Sequence, residues 1–320
     1  MRRRRRSWLR PWSMAVGNWG KESYNVLRLK SVCINGVVWV VGALLLIPSG
    51  LLMAQSSGQT EKSIVTTATP RVSISNLAGK VTVKGWDRLQ VHVAYTVVSP
   101  KVAVDTEQMP SKGPAEKVHF TSYLINRSEQ VPNPVVDYIL QVPTGSSLEI
   151  HDPQGKVKID SVKGDTSVDS LGGSIVVADS AGHLSIRSVG GDIDVVRASG
   201  RVEAYSINGN LHFVNPTSSR LRGTTTSGTI IYRGDFAAGG DYILSDYSGD
   251  ITVLCPSNAS FELNAKTVRG KLDNQFQLVP RGPASRSFLP SGNSIFGTQG
   301  SGQATLEVTS FSGTIHVRHQ

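Results

Sequence analysis

Aspartates that directly follow glycines are the first residues in this sequence whose type and spacing could bind a metal. Asp165, Asp192 and Asp250 each have a glycine before them, and calcium-binding β-rolls repeat an aspartate at one place in every glycine-rich turn. The equivalent positions of the other turns hold residues that are not carboxylates: Ser174, His183, Arg201 and Asn210. Because Gly-Asp is also an ordinary turn pair, we predict no metal site and no cofactor.

Paired carboxylates could instead cleave a carbohydrate by acid/base chemistry. Asp192 and Asp194 are two residues apart on one predicted strand and point toward solvent, and Asp169 or Asp179 could lie on nearby coils. Basic side chains are interspersed with them: Lys158, Arg187 and Arg197. Alternating polar residues occur on any half-exposed strand, so a solvated face is the favoured interpretation. We predict no catalytic residue and keep a carbohydrate-active enzyme as the alternative.

The remaining nucleophiles and ligands also lack a catalytic arrangement. His316 and His319 are three apart and would face opposite sides of a strand. Cys255 precedes a proline at a strand end and is predicted to be a small packed residue. Serines recur at the predicted turns: Ser161, Ser170, Ser188 and Ser206. A triad needs one serine beside a histidine and a carboxylate, so these serines are predicted to form turn hydrogen bonds.

The net charge of +9 is concentrated at the N-terminal end, where the range 1–54 holds nine Lys/Arg and one acidic residue. The rest of the chain has 24 basic and 23 acidic residues. A nearly neutral main domain has no basic footprint of the kind that nucleic acid requires. We therefore predict no nucleic-acid partner.

The N-terminal part resembles an export segment. Residues 1–32 are basic, and residues 33–54 carry no charge and are long enough to cross a bilayer. The second range is either a signal peptide core cleaved before Gln55, with translation from Met1 or Met14, or a retained membrane anchor. In both cases the positive-inside rule sends the following chain outward. Residues 55–69 are predicted to be a linker, and residues 70–320 a β-repeat domain.

A glycine returns every nine residues through the middle of that domain: Gly155, Gly164, Gly173, Gly182, Gly191, Gly200 and Gly209. Apolar residues follow most of these glycines at two and four places, which indicates short strands with one buried face. Serine-led turns recur every eighteen residues, at Ser170, Ser188 and Ser206. The sequence thus predicts an all-β solenoid of about 18 residues and two strands per coil.

Glycine suits the corners of such a coil because it accepts positive φ without steric cost. An antiparallel meander with a hairpin every nine residues is the alternative. If the chain is a solenoid, right-handed coiling is expected from the crossover rule.

Outside the regular repeats the strand pattern continues less evenly. Residues 99–134 are predicted to be an inserted loop or hairpin, and residues 274–303 a long surface loop. The last repeat unit, from Ala304 to Val317, is predicted to cap the open end of the solenoid.

Four segments carry a family resemblance: VSISNLAGKVTVKGWD, DYILQVPTGSSLEIHDPQGKVKID, YSGDITVLCPSNASFEL and LEVTSFSGTIHVRH. They resemble the "putative adhesin" family of bacterial β-repeat proteins, a family without an established function, over about residues 70–320. The resemblance implies an exported, all-β cell-envelope protein of bacterial origin. It supplies no catalytic residues.

We therefore predict a non-catalytic exported envelope protein that acts in adhesion or surface scaffolding. Its partner would be an envelope or extracellular ligand, either a carbohydrate or a protein, and also the membrane if the N-terminal segment is uncleaved. The alternatives are the carbohydrate-active enzyme and a membrane-tethered sensor with a basic cytoplasmic tail.

Overall fold

Parallel β-coils make up the chain in the computed structural model, which describes residues 58–126, 128, 131–280 and 293–320. The chain divides into two units, Met1–Met53 and Ala54–Gln320, and the described residues belong to the second. The predicted segments 1–32 and 33–54 lie outside them. No helix able to cross a membrane occurs in the described ranges. The strands are, in chain order, β1 (Gln59–Ser75), β2 (Lys80–Trp86), β3 (Gln90–Val97), β4 (Val102–Met109), β5 (Ala115–Leu124), β6 (Val136–Pro143), β7 (Ser147–His151), β8 (Lys156–Asp160), β9 (Thr166–Ser170), β10 (Ile175–Ala178), β11 (His183–Ser188), β12 (Ile193–Val196), β13 (Arg201–Ser206), β14 (Leu211–Val214), β15 (Arg220–Thr225), β16 (Ile230–Arg233), β17 (Asp241–Asp246), β18 (Ile251–Cys255), β19 (Phe261–Thr267), β20 (Leu272–Asn274), β21 (Ser294–Gln299), β22 (Ala304–Ser310) and β23 (Ile315–His319).

The strands form two facing layers, sheet A and sheet B, and each regular coil gives one strand to each layer. Strand β1 belongs to both, because its first half pairs in sheet A and its second half in sheet B. Sheet A has the order β1-β3-β6-β2-β8-β10-β12-β14-β16-β18-β23-β20. Sheet B has the order β4-β5-β1-β7-β9-β11-β13-β15-β17-β22-β19-β21.

The register of the central strands confirms the coil length that the glycine spacing predicts. Ile175 lies beside Val157 on one side and Ile193 on the other, and all three strands are parallel. An antiparallel meander would pair consecutive strands with each other, so that alternative is excluded. The coils become longer further along, where Leu211 pairs with Ile230 and Ile230 pairs with Ile251.

Inward side chains of the two sheets share one apolar core. Ile175 and Val177 of sheet A and Leu184 and Ile186 of sheet B are fully buried, as the period-2 pattern predicts. Each buried side chain of this size contributes roughly 1.5–3 kcal/mol. The coils therefore stabilise one another through a continuous core that no single coil could bury.

A column of buried polar residues runs beside this core at the turn that leads from sheet B into sheet A, which we call the glycine corner. Its members are, in spatial order, Ser122, Asn76, Asp152, Ser170, Ser188, Ser206, Thr225, Asp246, Ser310 and Thr267. Ser188 and Ser206 accept the N–H of the glycine three residues later at 2.8 Å. This inner polar column thus satisfies corner amides that would otherwise be buried without a partner.

A column of glycines accompanies the inner polar column, and close backbone approach explains it better than positive φ does. Gly173 has a φ of +104°, as expected for a left-handed corner, but Gly155, Gly191 and Gly209 do not have positive φ. A Cβ on any of these four would overlap the carbonyl oxygen of the corner glycine in the preceding coil. The corner therefore needs glycine because neighbouring coils leave no room for a side chain.

The prediction that the last repeat caps the solenoid is wrong. Strands β22 and β23 lie inside the stack, between β17/β18 and β19/β20. The end of sheet B is instead closed by β21, which runs antiparallel to β19. Buried Phe276 packs against Phe261 and His319 at the same end. The parallel stack of sheet B thus ends at an antiparallel edge strand, whereas β22 and β23 are parallel strands with a paired neighbour on each side.

Three irregular regions also differ from expectation. Strand β1 already begins at Gln59, inside the range predicted to be a linker, because Ile64 is buried and pairs with β3. Within the range 99–134, β4 and β5 form the expected hairpin, but β5 also pairs with β1 in sheet B. The range 274–303 contains β21 in addition to loop, and residues 281–292 within it lie outside the described part.

Two adjacent glycines allow a test of the glycine corner. Neither Gly190 nor Gly191 has a positive φ. A Cβ on Gly190 would have the Leu171 carbonyl oxygen as its nearest neighbour at 3.6 Å, whereas one on Gly191 would overlap the Gly173 carbonyl oxygen. We expect Gly191→Ala to lower the free energy of unfolding by about 3 kcal/mol and Gly190→Ala to change it little. Denaturant unfolding of both variants measures this, and equal stabilities would contradict the steric account.

Candidate functional site

The aspartates considered for calcium binding have structural roles in the corners. The Oδ1 atoms of Asp165, Asp192 and Asp250 each accept a hydrogen bond from the backbone N–H of the equivalent residue in the next coil, at 2.7–3.0 Å. Asn210 does the same through its own Oδ1. No group of three or more His, Cys, Asp or Glu side chains placed to hold a metal ion occurs in the described part of the chain.

The carboxylates considered for acid/base chemistry are not brought together. Asp194 lies on the outer face of sheet A, where its Oδ1 is 2.8 Å from Nδ1 of His212. Asp169 lies on the outer face of sheet B, on the other side of the core. Asp179 lies at the turn that leads from sheet A into sheet B, which we call the second corner. Its carboxylate forms a two-pronged ion pair with Arg197. Asp169, Asp179 and Asp194 thus lie on different sides of the solenoid, so the cluster that the enzyme alternative requires does not form among them.

The other singled-out residues are structural. Ser170, Ser188 and Ser206 belong to the inner polar column, as predicted for turn hydrogen bonding, whereas Ser161 lies at the second corner and binds Asp160. The Cys255 side chain is buried, and burial raises the pKa of its thiol to about 12. A thiol that stays protonated is a packed residue and a poor nucleophile.

A basic surface on sheet B is the candidate site, and no sequence motif predicts it. We call it the basic face, and it consists of the outward side chains of three adjacent parallel strands. Side chains that lie directly opposite each other form three rows across β11, β13 and β15. The rows are His183–Arg201–Arg220, Ser185–Glu203–Arg222 and Arg187–Tyr205–Thr224.

Two shallow depressions cover these rows. The first, of about 120 Å³, lies over Arg201, Arg220 and Arg222 and extends to Asp241 of β17. The second, of about 280 Å³, is lined by the outward side chains Ser185, Arg187, Glu203, Tyr205, Arg222 and Thr224. Arg222 and Glu203 line both, so the two depressions form one continuous surface.

Small inward residues lie beneath this surface. The inner positions of β13 and β15 hold Ala204 and Gly223, which are paired with each other. The Phe213 ring from sheet A fills the space, because a Cβ on Gly223 would come within 2.7 Å of it. The large Phe213 ring thus packs over the two small residues, so the core remains filled beneath the basic face.

The charges on the basic face are only partly neutralised. Glu203 lies 3.8 Å from both Arg201 and His183. Arg187, Arg220 and Arg222 are exposed, and each is directly opposite a carboxylate residue: Asp169, Asp241 and Glu203, respectively. None of the three arginines approaches its carboxylate closely enough to form an ion pair in the ranges that the structure describes. Arg201 and Arg220 are directly opposite each other, an arrangement of like charges that destabilises a sheet. The face therefore offers guanidinium groups to an anion from outside.

The uneven coil length explains why the sequence pattern hid this face. A coil of the regular length would place Ser219 beside Arg201, but the coil from β13 to β15 is longer by one residue and brings Arg220 there. The extra residue lies in the corner that contains Pro216 and the αL residue Asn215. Only the register shows that the arginines gather.

The described chain is thus an all-β solenoid with shallow depressions on its basic face. Its sequence matches no protein-family model, and no curated protein matches it. A putative cell adhesion protein from Clostridium sporogenes is similar over 82% of this chain and 100% of its own, at 10% identity and a TM-score of 0.28. A putative adhesin from Bacteroides fragilis is similar over 82% and 98%, at 11% identity and a TM-score of 0.46. At these values neither likeness carries a conclusion about function, and the family resemblance stays a prediction.

Two carboxyl groups interrupt the inner polar column. Asp152 and Asp246 are buried, and neither forms a hydrogen bond of good geometry through its carboxyl oxygens. Burial raises the pKa of each to about 6, although the Asn76 side chain near Asp152 and the Gly249 amide near Asp246 oppose the shift. Because the folded protein holds these protons more tightly than the unfolded chain does, their contribution to stability is complete below about pH 4. It is lost as the pH rises through 6.

Replacing Asp246 by the serine found at equivalent positions tests this pH dependence. Asp246→Ser should be more stable than the wild type at pH 7.5, by up to about 3 kcal/mol, because no buried charge forms. The two proteins should differ much less at pH 4, where the aspartate is protonated. Denaturant unfolding between pH 4 and pH 8 measures the difference, with Asp169→Ser on the outer face as the control. A variant that is less stable than the wild type at pH 7.5 would show that the ionised carboxylate stabilises the corner.

Proposed function

We propose that this protein is an exported, non-catalytic binding protein that attaches to an anionic ligand through the basic face, in adhesion or surface scaffolding. The observation that carries the proposal is the group of exposed arginines, Arg187, Arg220 and Arg222, which line the two depressions without an ion-pair partner in the described ranges. The planar guanidinium fork binds carboxylate and phosphate groups through two parallel hydrogen bonds. An extended anion on this face would also relieve the repulsion between neighbouring arginines.

The local charge is significant because the rest of the domain is neutral. The 24 basic and 23 acidic residues that follow the N-terminal range 1–54 nearly cancel, so no general positive field attracts anions. The column of Arg222 holds serine or glutamate on other coils, for example Ser167, Glu149 and Ser73. The solenoid therefore folds without arginine at these positions, which supports a binding role for the cluster.

The shape of the site favours binding over catalysis. The depressions are open and lie on regular strands, so a long polymer can cross several coils and make many shallow contacts. Two carboxylates, Glu203 and Asp241, do line the first depression. Their Cα atoms are two strand spacings and two residues apart, about 12 Å, and β15 with Arg220 and Arg222 lies between them. A glycosidase needs its two carboxyl groups to face each other across the scissile bond.

Export follows from the sequence and is part of the proposal. The uncharged range 33–54 with its basic flank is typical of a signal peptide or membrane anchor. We expect the domain in the envelope or extracellular fraction. Intact mass measurement of the protein from that fraction distinguishes cleavage before Gln55 from a retained anchor, and recovery in the cytoplasm alone would contradict export.

Arginine footprinting of the full chain tests the binding face. Phenylglyoxal modifies accessible arginines, and mass spectrometry reports each site separately, so the basic N-terminal segment does not confuse the result. We expect dextran sulfate, but not neutral dextran, to protect Arg220 and Arg222 several-fold. Arg233, exposed on the outer face of sheet A, is the internal control and should stay reactive. Equal protection of Arg233, or no protection of Arg220 and Arg222, would overturn the proposal.

A further inference from the structure

The second depression contains more than positive charge. Tyr205, on the middle one of the depression's three strands, lines it and is 43% exposed. Tyr205 is directly opposite Arg187 on one neighbouring strand and Thr224 on the other. Arg222 precedes Thr224 by two residues, so the two arginines lie on the two strands that flank the strand of Tyr205. A site for a bare anion has no use for an exposed aromatic ring between its cations.

The carboxylate of Glu203 also argues against a bare anion. It lies on the same strand as Tyr205, two residues away, and is directly opposite Arg222. A carboxylate in the middle of an anion site repels a ligand that carries only negative charge, and it accepts hydrogen bonds from a ligand that carries hydroxyl groups. The hydroxyls of Ser185 and Thr224 line the same depression and add further donors and acceptors.

From this combination we infer that the second depression is a subsite for an acidic saccharide, a sugar ring that carries a carboxylate. The inference rests on the proposed function and names its ligand. The C–H face of the sugar packs on the Tyr205 ring, whose face is electronegative. The sugar carboxylate binds the guanidinium group of Arg187 or Arg222, and the ring hydroxyls donate to Glu203. In a polymer of such sugars, the next carboxylates reach Arg220 and Arg201 in the first depression.

Three small ligands separate the contributions of sugar and charge. Trigalacturonate has sugar rings and carboxylates, tripolyphosphate has charge without a sugar, and maltotriose has sugar without charge. We expect calorimetric titration of the full chain to give the highest affinity for trigalacturonate and no measurable binding of maltotriose. If the site bound anions through charge alone, tripolyphosphate would bind at least as tightly as trigalacturonate, and the assignment of an acidic sugar would be overturned.

Substitution of the tyrosine is the decisive step. Tyr205→Ser should weaken trigalacturonate binding by up to about tenfold, the value of one aromatic contact, and change tripolyphosphate binding less than twofold. Tyr205→Phe keeps the ring and should bind nearly as the wild type does. Tyr247→Ser is the matched control, because Tyr247 is exposed on the glycine corner and stacks on Phe311 outside both depressions.

The outcomes distinguish this inference from the proposed function. Unchanged trigalacturonate binding by Tyr205→Ser, or an equal loss for both anions, would overturn the saccharide subsite while leaving an anion-binding face. Failure of the wild type to bind either anion would overturn both. Thermal unfolding of each variant shows whether a loss of binding follows from a loss of fold.

Discussion

The contact between a glycine Cα and the carbonyl oxygen of the glycine one coil away is the constraint on which the rest of the structure depends. Parallel strands hydrogen-bond only when adjacent coils lie about 4.8 Å apart, and at the glycine corner the backbone reaches that spacing only where no Cβ intervenes. Gly173, Gly191 and Gly209 satisfy this requirement in consecutive coils. The register of these sheet A strands follows, because β10, β12 and β14 each begin two residues after a corner glycine.

The corner also decides which polar residues the core tolerates. Its amides are buried, and a short hydroxyl or carboxamide three residues before the glycine supplies their acceptor, as Ser188 and Asn76 do in different ways. Asp152 and Asp246 occupy equivalent positions of the column, but their carboxyl oxygens form no hydrogen bond of good geometry there. They occupy these positions at an electrostatic cost, since burial favours their neutral form. The column therefore keeps its shape and tolerates a change of charge.

A structural feature could be predicted when the residues that determine it lie close together in the sequence or recur at a fixed spacing. The nine-residue glycine spacing reports a constraint between neighbouring coils, so the solenoid, its coil length and its buried positions, such as Ile175 and Ile186, could be read from the sequence. The insertion of β22 and β23 between earlier coils depends on pairing with β17 and β18, from which several other strands separate them in the chain, and no local pattern records it. The basic face could not be predicted for a related reason. One extra residue at the second corner changes which side chain lies beside Arg201.

That extra residue also shows how a repeat fold acquires a site. In coils of constant length each outward column repeats at a fixed step, and a chemical feature arises only if the sequence repeats it. Lengthening one corner shifts the later coil by one place relative to the regular pattern without disturbing the inward face, since Leu221 still lies beside Val202. The shift places Arg220 beside Arg201 and Arg222 beside Glu203. The core keeps its register, while the outer columns are free to differ. The outward rows of β11, β13 and β15 could therefore acquire charge, an aromatic ring and hydroxyl groups. The cost to the fold is the repulsion between the arginines themselves.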